Sequence, residues 1–272
     1  MSRATQPHVR EAGAGPRVIC LHANASASTQ WRGLMDLLPA DHHVLASDAW
    51  GAGKSPEWPS DRVFTLRDEL DLIDGLLDPA LPPAVLVGHS YGAAVALVAA
   101  VEPPAQVRAL VPYEPTLFAL IDALAPPPND ADGIRGAVAA ACMALDAGDR
   151  VAAARAIIDY WMARAAGSAR PRQASQPFAT ASSTCAAGRM PSRPNPPLSA
   201  FAALDIPVLC MTGGRSTASA HGVARILVPA LRRVREAAFE QLGHMGPVTH
   251  PDVVNAEIAE FLKALEGGAS MR

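Results

Sequence analysis

Six apolar, strand-like runs alternate with helical patterns along this chain, and that alternation constrains its fold more than any other feature. The runs are "RVICLH" (17 to 22), "HVLASD" (43 to 48), "AVLVGH" (84 to 89), "VRALVPYE" (107 to 114), "PVLCMTG" (207 to 213) and "AAFEQLG" (237 to 243). Strands joined through a helix return in the same direction, so such a series argues for parallel pairing. Between them Trp31, Leu34, Met35 and Leu38 fall at helical spacing, as do Leu66, Leu70, Ile73 and Leu77, with Thr65 placed as an N-cap. A last helix begins at Pro251 and carries Val254, Ile258, Phe261, Leu262 and Leu265 along one face. The expected class is α/β, a mostly parallel sheet covered by helices on both faces. At 272 residues, half of them apolar, the chain can bury one large core.

One interval breaks the alternation. Residues 116 to 200 carry helical patterns around "GIRGAVAAACMALDAGDRVAAARAIIDYWM", interrupted near Gly148-Asp149, as expected of an inserted pair of helices. The organisation read from this is a core of residues 1–115 and 201–272 with a cap or lid at 116–200. From Asp159 to Pro197 there is no Val, Ile or Leu, while Arg164, Arg170, Arg172, Arg189 and Arg193 accumulate among Ala, Ser and Pro. Such a stretch lacks the apolar surface that offsets the entropy of ordering, so 159–197 is expected to be poorly ordered or irregular. A mobile lid and a stretch read in a shifted frame both account for that vocabulary.

A net charge of −3 and a pI of about 6.2 offer no basic field to nucleic acid, and no basic amphipathic helix invites a membrane surface. The first residues, "MSRATQPHVREAGAGPR", lack the apolar core of a secretion signal, and no apolar run spans a bilayer; a cytoplasmic location is expected. Cys20, Cys142, Cys185 and Cys210 are widely spaced, suggesting neither a zinc site nor a disulfide framework. The expected partner is a small-molecule substrate, with no metal and no cofactor; self-association into a homo-oligomer stays open.

"SDAWGAGKSP", residues 47 to 56, contains a Gly-Lys-Ser run of the kind that cradles phosphate. The first glycine of that motif falls instead on Asp48, whose carboxylate would repel phosphate, and Pro56 and Trp58-Pro59 prevent the long helix that should follow. The stretch serves something else.

The chemistry concentrates in "VLVGHSYGAAVAL", residues 85 to 97. Gly88-His89-Ser90-Tyr91-Gly92 is G-x-S-x-G, standing between an apolar strand and a helix of small residues. A serine on so sharp a turn needs glycines beside it, and it is presented at the sheet's C-terminal edge near a helix N-terminus. A serine also needs a base. His244, in "LGHMGP" between the last strand and the last helix, falls at the same edge, whereas His89 reads as a packing residue and His8, His42, His43, His221 and His250 as solvated ones.

Taken together these stretches resemble the α/β-hydrolase superfamily: "LHANASAS" after the first strand, "DAWGAGKS" where the family has a D-x-x-G-x-G-x-S turn, the "GHSYG" elbow, and "GHMGPVTHP" around the histidine. The resemblance implies an α/β-hydrolase fold with an inserted helical lid. It makes Gly51, Gly53 and Ser55 a structural turn beside the site, and it gives the oxyanion donors as the backbone N–H groups of Tyr91 and Asn24. Two departures stand out. His22-Ala23 replaces the frequent His-Gly, and "GRSTASAHG" follows the fifth run where many relatives carry an aspartate, with no carboxylate between Asp205 and Glu236. Chemistry gathers outside the C-terminal ends of strands, and some members carry their acid after the strand that follows the elbow helix. By that resemblance Glu114 is the acid, in the chain order Ser90, Glu114, His244.

The expected activity is hydrolysis of a small carboxylic ester or lactone through an acyl-enzyme. Trp31, Tyr113 and Phe118, with Trp50, Trp58 and the lid helices, are expected to line the acyl pocket. A cofactor-free lyase, a perhydrolase, a carbon–carbon bond hydrolase and a non-catalytic binding protein of the same fold stay open, since fold and triad do not fix the reaction.

Overall fold

The computed structural model describes residues 5–38, 40–59, 64–102, 106–162 and 195–267. Its strands are β1 (Val9–Ala12), β2 (Arg17–Leu21), β3 (His43–Ser47), β4 (Ala84–His89), β5 (Val107–Tyr113), β6 (Val208–Gly213) and β7 (Val234–Phe239). They form one sheet in the order β1-β3-β2-β4-β5-β6-β7, parallel throughout except for β1, which runs antiparallel to β3 at the edge. Every residue of β2 and β4 is buried, as expected of parallel strands covered on both faces.

Two strands depart from the sequence reading. β1 escapes it because a short, half-exposed edge strand containing Arg10 and Glu11 has no apolar run to betray it. β7 starts at Val234, three residues before the expected run, and its burial alternates because it is the other edge; the Arg235 guanidinium sits 5.8 Å over the Phe261 ring.

The helices are α1 (Arg32–Leu37), α2 (Leu66–Ile73), α3 (Tyr91–Val101), α4 (Ala119–Leu124), α5 (Asp132–Asp146), α6 (Arg150–Met162), α7 (Leu198–Ala202), α8 (Ala218–Leu227), α9 (Gly246–Thr249) and α10 (Pro251–Glu266). On one face α1 and α10 pack over β2, β3, β4 and β5: Trp31 and Leu34 meet Val18, Val85 and Val87, joined by Val254, Ile258, Phe261 and Leu262. On the other, α2, α3 and α8 bury Leu70, Ile73, Leu97 and Val223 against Ile19, Leu86 and Leu110. α3 can pack closely on the sheet because most of its buried residues are alanine and valine. Asp68 closes the start of α2 by accepting from the Thr65 N–H at 2.8 Å.

Between β5 and β6 lie α4, α5, α6 and α7, with α5 and α6 packed on one another. The chain reverses between them at Gly148, whose φ of +75° falls in the left-handed region. Residues 163–194 lie outside the described residues, and with them most of the 159–197 stretch. Of its ends, Asp159–Met162 complete α6, and Phe201, just beyond, is fully buried in the core. Cys20 and Cys210 are free and buried, and burial pushes the Cys210 thiol up to about 12. Cys142 is disulfide-bonded, against the expectation from cysteine spacing. Among the described residues no helix is long and apolar enough to cross a membrane.

Candidate active site

The site grows out of a steric problem at the end of β4. Ser90 has φ +56° and ψ −112°, a conformation that non-glycine residues avoid. Its neighbours make that turn feasible. A Cβ on Gly88 would come within 2.5 Å of the Ala93 Cα, and one on Gly92 would collide with the Leu21 carbonyl, so strand, turn and helix fit only because both positions are bare. The Ser90 N–H donates to the Tyr113 carbonyl at 2.8 Å, tying the elbow to β5. Tyr91 opens the eleven-residue α3, so its N–H has no acceptor within the helix.

His244 and Glu114 converge on this serine from two other strand ends. The Ser90 hydroxyl lies 2.8 Å from His244 Nε2, and His244 Nδ1 lies 2.7 Å from Glu114 Oε2. All three are buried. The other carboxylate oxygen, Oε1, accepts from the Gly213 N–H at 2.7 Å and from the Ser216 hydroxyl at 2.5 Å. The stretch "GRSTASAHG" thus supplies, at Ser216, a donor to a carboxylate where relatives were expected to carry one, and Gly213 at the end of β6 supplies the other. A carboxylate only accepts, so Nδ1 of His244 carries the proton and Nε2 is left to accept from Ser90. Glu114 is itself held at φ +46°, and the Tyr113 hydroxyl donates to the Gly243 carbonyl at 2.8 Å, anchoring the histidine loop to β5. Backbone strain therefore falls on Ser90 and Glu114, two members of one hydrogen-bonded chain.

The loop after β2 lies alongside. His22 donates from Nδ1 to the Ala23 carbonyl (2.7 Å) and accepts at Nε2 from the Ala49 N–H (3.0 Å); burial lowers its pKa, which keeps it neutral. The left-handed conformation falls on Ala25, φ +59°, and not on Ala23, so a side chain at the usual glycine position is accommodated. The Ala23 N–H donates to Gln30 Oε1 at 3.2 Å.

Asp48 is a staple for the neighbouring turn. It accepts from the Ser28 N–H at 2.5 Å and the Lys54 N–H at 2.9 Å, and a Cβ on Gly53 would strike its carboxylate. Burial alone would raise its pKa, but these amide donors and His22 outweigh burial and hold the carboxyl below its usual range. Ser55 donates to the Asp48 carbonyl at 2.7 Å. With Gly53 and Ser55 both turned to Asp48, this Gly-Lys-Ser run forms a closed turn.

Three aromatic expectations meet different fates. Trp31 and Tyr113, expected at the acyl pocket, are each fully buried in the core on the α1 and α10 face. Phe118 is half-buried and stacks on Trp161 of α6. Trp50 packs with Phe64 and Leu72 in a separate cluster against which Trp58 is laid. Trp161, which sequence reasoning did not single out, lies face to face with the His244 imidazole, ring centroids 3.6 Å apart. Beside it the hydroxyls of Tyr160 and Ser219 are 2.7 Å apart. Its place at the end of an apolar helical pattern was the one available hint.

Glu69 of α2 is a buried carboxyl that no sequence pattern singles out. It accepts from the Trp50 N–H at 3.0 Å, and burial pushes its pKa up to about 8. Among the described residues no group of three or more His, Cys, Asp or Glu is arranged to hold a metal ion.

Compared with known proteins, residues 16–251 match a family profile described as alpha/beta hydrolase fold. The chain is similar to a haloalkane dehalogenase from Agrobacterium fabrum, 34% identical over 113 residues that make up 41% of this chain and 36% of that protein. It is similar also to an epoxide hydrolase from Caballeronia sordidicola, 39% identical over 106 residues, 38% of this chain and 32% of that one. The chain thus matches about a third of the length of these relatives. Among solved structures, a thermophilic esterase from Thermogutta terrifontis is similar with a TM-score of 0.74 and 19% identity, covering 94% of this chain and 92% of that one. At that identity the likeness is one of fold.

Proposed function

The chain belongs to the α/β-hydrolase family, and from that premise we propose that it is a serine hydrolase cleaving a small carboxylic ester or lactone through an acyl-enzyme. The observation that carries the reading is the unbroken chain of hydrogen bonds from Ser90 through His244 to Glu114, buried at the C-terminal edge of the sheet.

In this reading Ser90 Oγ attacks the acyl carbon while His244 Nε2 takes its proton. Glu114 holds the imidazole by Nδ1 and stabilises the imidazolium that forms. The negative charge on the carbonyl oxygen is met by the Tyr91 N–H at the start of α3 and by the N–H of Asn24. Collapse of this intermediate expels the alkoxide, which receives the proton from Nε2. Water, deprotonated by the same nitrogen, then attacks the ester on Ser90, and collapse releases the acid as His244 Nε2 returns the proton to Ser90 Oγ. α4, α5 and α6 act as a cap, with Trp161 covering the imidazole.

The nucleophile separates this reading from the names of the two sequence relatives. Displacing halide or opening an epoxide at a saturated carbon would leave Ser90 as an ether, which this machinery cannot hydrolyse. Attack on an acyl carbon leaves an ester, which it can. Acyl chemistry is therefore the reading that returns the enzyme to its starting state.

The test uses p-nitrophenyl acetate and butyrate with a fluorophosphonate probe that labels activated serines. Wild type is expected to turn over both esters and to take up the probe at Ser90. Ser90→Ala is expected to lose about 10⁶-fold in kcat and Glu114→Gln about 10⁴-fold, each remaining folded. A wild type that neither turns over esters nor takes the label, or a Glu114→Gln variant of undiminished kcat, overturns the assignment.

A further inference from the structure

The triad leaves one buried imidazole unused, and its hydrogen bonds connect the two halves of the site. His89, expected as a packing residue, is fully buried between the His244 ring, centroids 5.3 Å apart, and the Tyr113 ring at 5.5 Å. Its Nε2 lies 2.8 Å from the backbone carbonyl of His244 and its Nδ1 lies 3.1 Å from the Gln30 amide nitrogen. The Gln30 amide oxygen in turn accepts from the Ala23 N–H at 3.2 Å.

The polarity of this series is forced from both ends. A backbone N–H at Ala23 can only donate, so Gln30 presents Oε1 there and its NH₂ to His89. A backbone carbonyl at His244 can only accept, so His89 carries its proton on Nε2 and accepts at Nδ1. The series runs in one direction: Ala23 N–H to Gln30, Gln30 to His89, His89 to the His244 carbonyl. A second proton on His89 would set two donors against each other at Nδ1. Burial holds its pKa well below the usual value, against the opposing pull of its hydrogen bond to the His244 carbonyl, so neutral His89 is the working form.

On the serine-hydrolase reading, we propose that Gln30 and His89 are positioning residues: they lock the oxyanion loop at Ala23 to the backbone of the base His244, across the elbow, so that the oxyanion donor and the base keep one spacing about Ser90. Neither touches substrate. Their effect is geometric, and a displacement of the order of 1 Å in such a constellation costs about 10²-fold in rate.

Two variants of nearly unchanged volume test this. Gln30→Met removes both hydrogen bonds and is expected to lower kcat for p-nitrophenyl butyrate about 10- to 100-fold, with KM within about threefold of wild type. Gln30→Glu is the sharper probe. With one proton shared between the introduced carboxylate and His89, the new side chain accepts from Ala23 and bridges to Nδ1, restoring the series. When that proton leaves, two acceptors face each other and the series breaks. The kcat of Gln30→Glu is therefore expected near wild type at low pH and to fall with rising pH through an ionisation that the wild-type profile lacks, an effect that mere packing would not produce.

A kcat within threefold of wild type for folded Gln30→Met, or a Gln30→Glu profile that superimposes on wild type, overturns the proposal. If Gln30→Met fails to fold, the Gln30→Glu profile decides. Fluorophosphonate labelling of wild type separates the two levels: a labelled wild type with insensitive variants rejects the positioning role alone, whereas an unlabelled wild type rejects the serine-hydrolase reading and this role with it.

Discussion

α10 and the pair α5 and α6 are of similar length and opposite character. α10 buries Val254, Asn255, Ile258, Phe261 and Leu262 against the sheet, whereas α5 buries only Ile134 and Ala141 and α6 only Ala153. One is a wall of the core; the other pair is laid over it. The difference matters because the candidate site draws on both. Ser90 and Glu114 directly follow buried strands and His244 lies on the buried loop after β7, while Trp161, stacked on the imidazole, arrives on a helix with little buried area to fix it. On the proposed reading, the hydrogen-bonded chain sits on the well-buried part and the covering ring on the sparsely buried part, where local opening costs less.

The largest stability effect should come from the core wall. Phe261 is fully buried between α10 and the sheet, so Phe261→Ala is expected to cost about 3–5 kcal/mol in denaturant unfolding. A loss under about 1 kcal/mol would erase the distinction between the two regions.

Glu69 sharpens the comparison from beneath the elbow. Its folded carboxyl ionises near pH 8 against an ordinary value of 4.5, so between those values the folded state keeps a proton that the unfolded state has shed. Stability then falls as pH rises from about 4.5 to about 8, at no more than about 1.4 kcal/mol per pH unit, and is flat with respect to this group on either side. Glu69→Gln, which can still accept from the Trp50 N–H, is expected to flatten that slope; an unchanged slope would mean that the carboxyl ionises normally in the fold.

The parts of the molecule legible in the sequence are those fixed by local sterics or by chain order. The elbow can be read because only bare positions at 88 and 92 allow a serine at φ +56°, and those glycines lie close by in sequence. Glu114 is reached through the resemblance, since some α/β-hydrolases carry their acid after this strand, and its carboxylate lies 2.7 Å from His244 Nδ1. What depends on which way a side chain turns is not legible. Trp31 and Tyr113 are expected in a pocket, yet both face the core, and their residue types are the same in either role. Gln30 and Ser216 are ordinary polar residues whose partners lie 59 and 102 residues away, at His89 and Glu114, so nothing local distinguishes them from solvated side chains. β1 is hidden for a related reason: its pairing with β3 comes from backbone groups, which sequence pattern does not display.

The smallest expected change in stability belongs to the loose region and decides whether that region has a task. Trp161 stacks on His244 and Phe118 but is only half-buried, so Trp161→Ala is expected to move unfolding stability by less than about 1 kcal/mol. If the ring also bounds the acyl chamber, removing it makes room, and kcat/KM for butyrate relative to acetate should rise by up to about tenfold, the scale on which an apolar pocket discriminates methylene groups. The paired measurement separates two roles that the contact alone does not. A shifted ratio at unchanged stability makes Trp161 part of the specificity surface. A loss of several kcal/mol with an unchanged ratio makes it a core residue, and α6 would then belong to the wall and not to the cover.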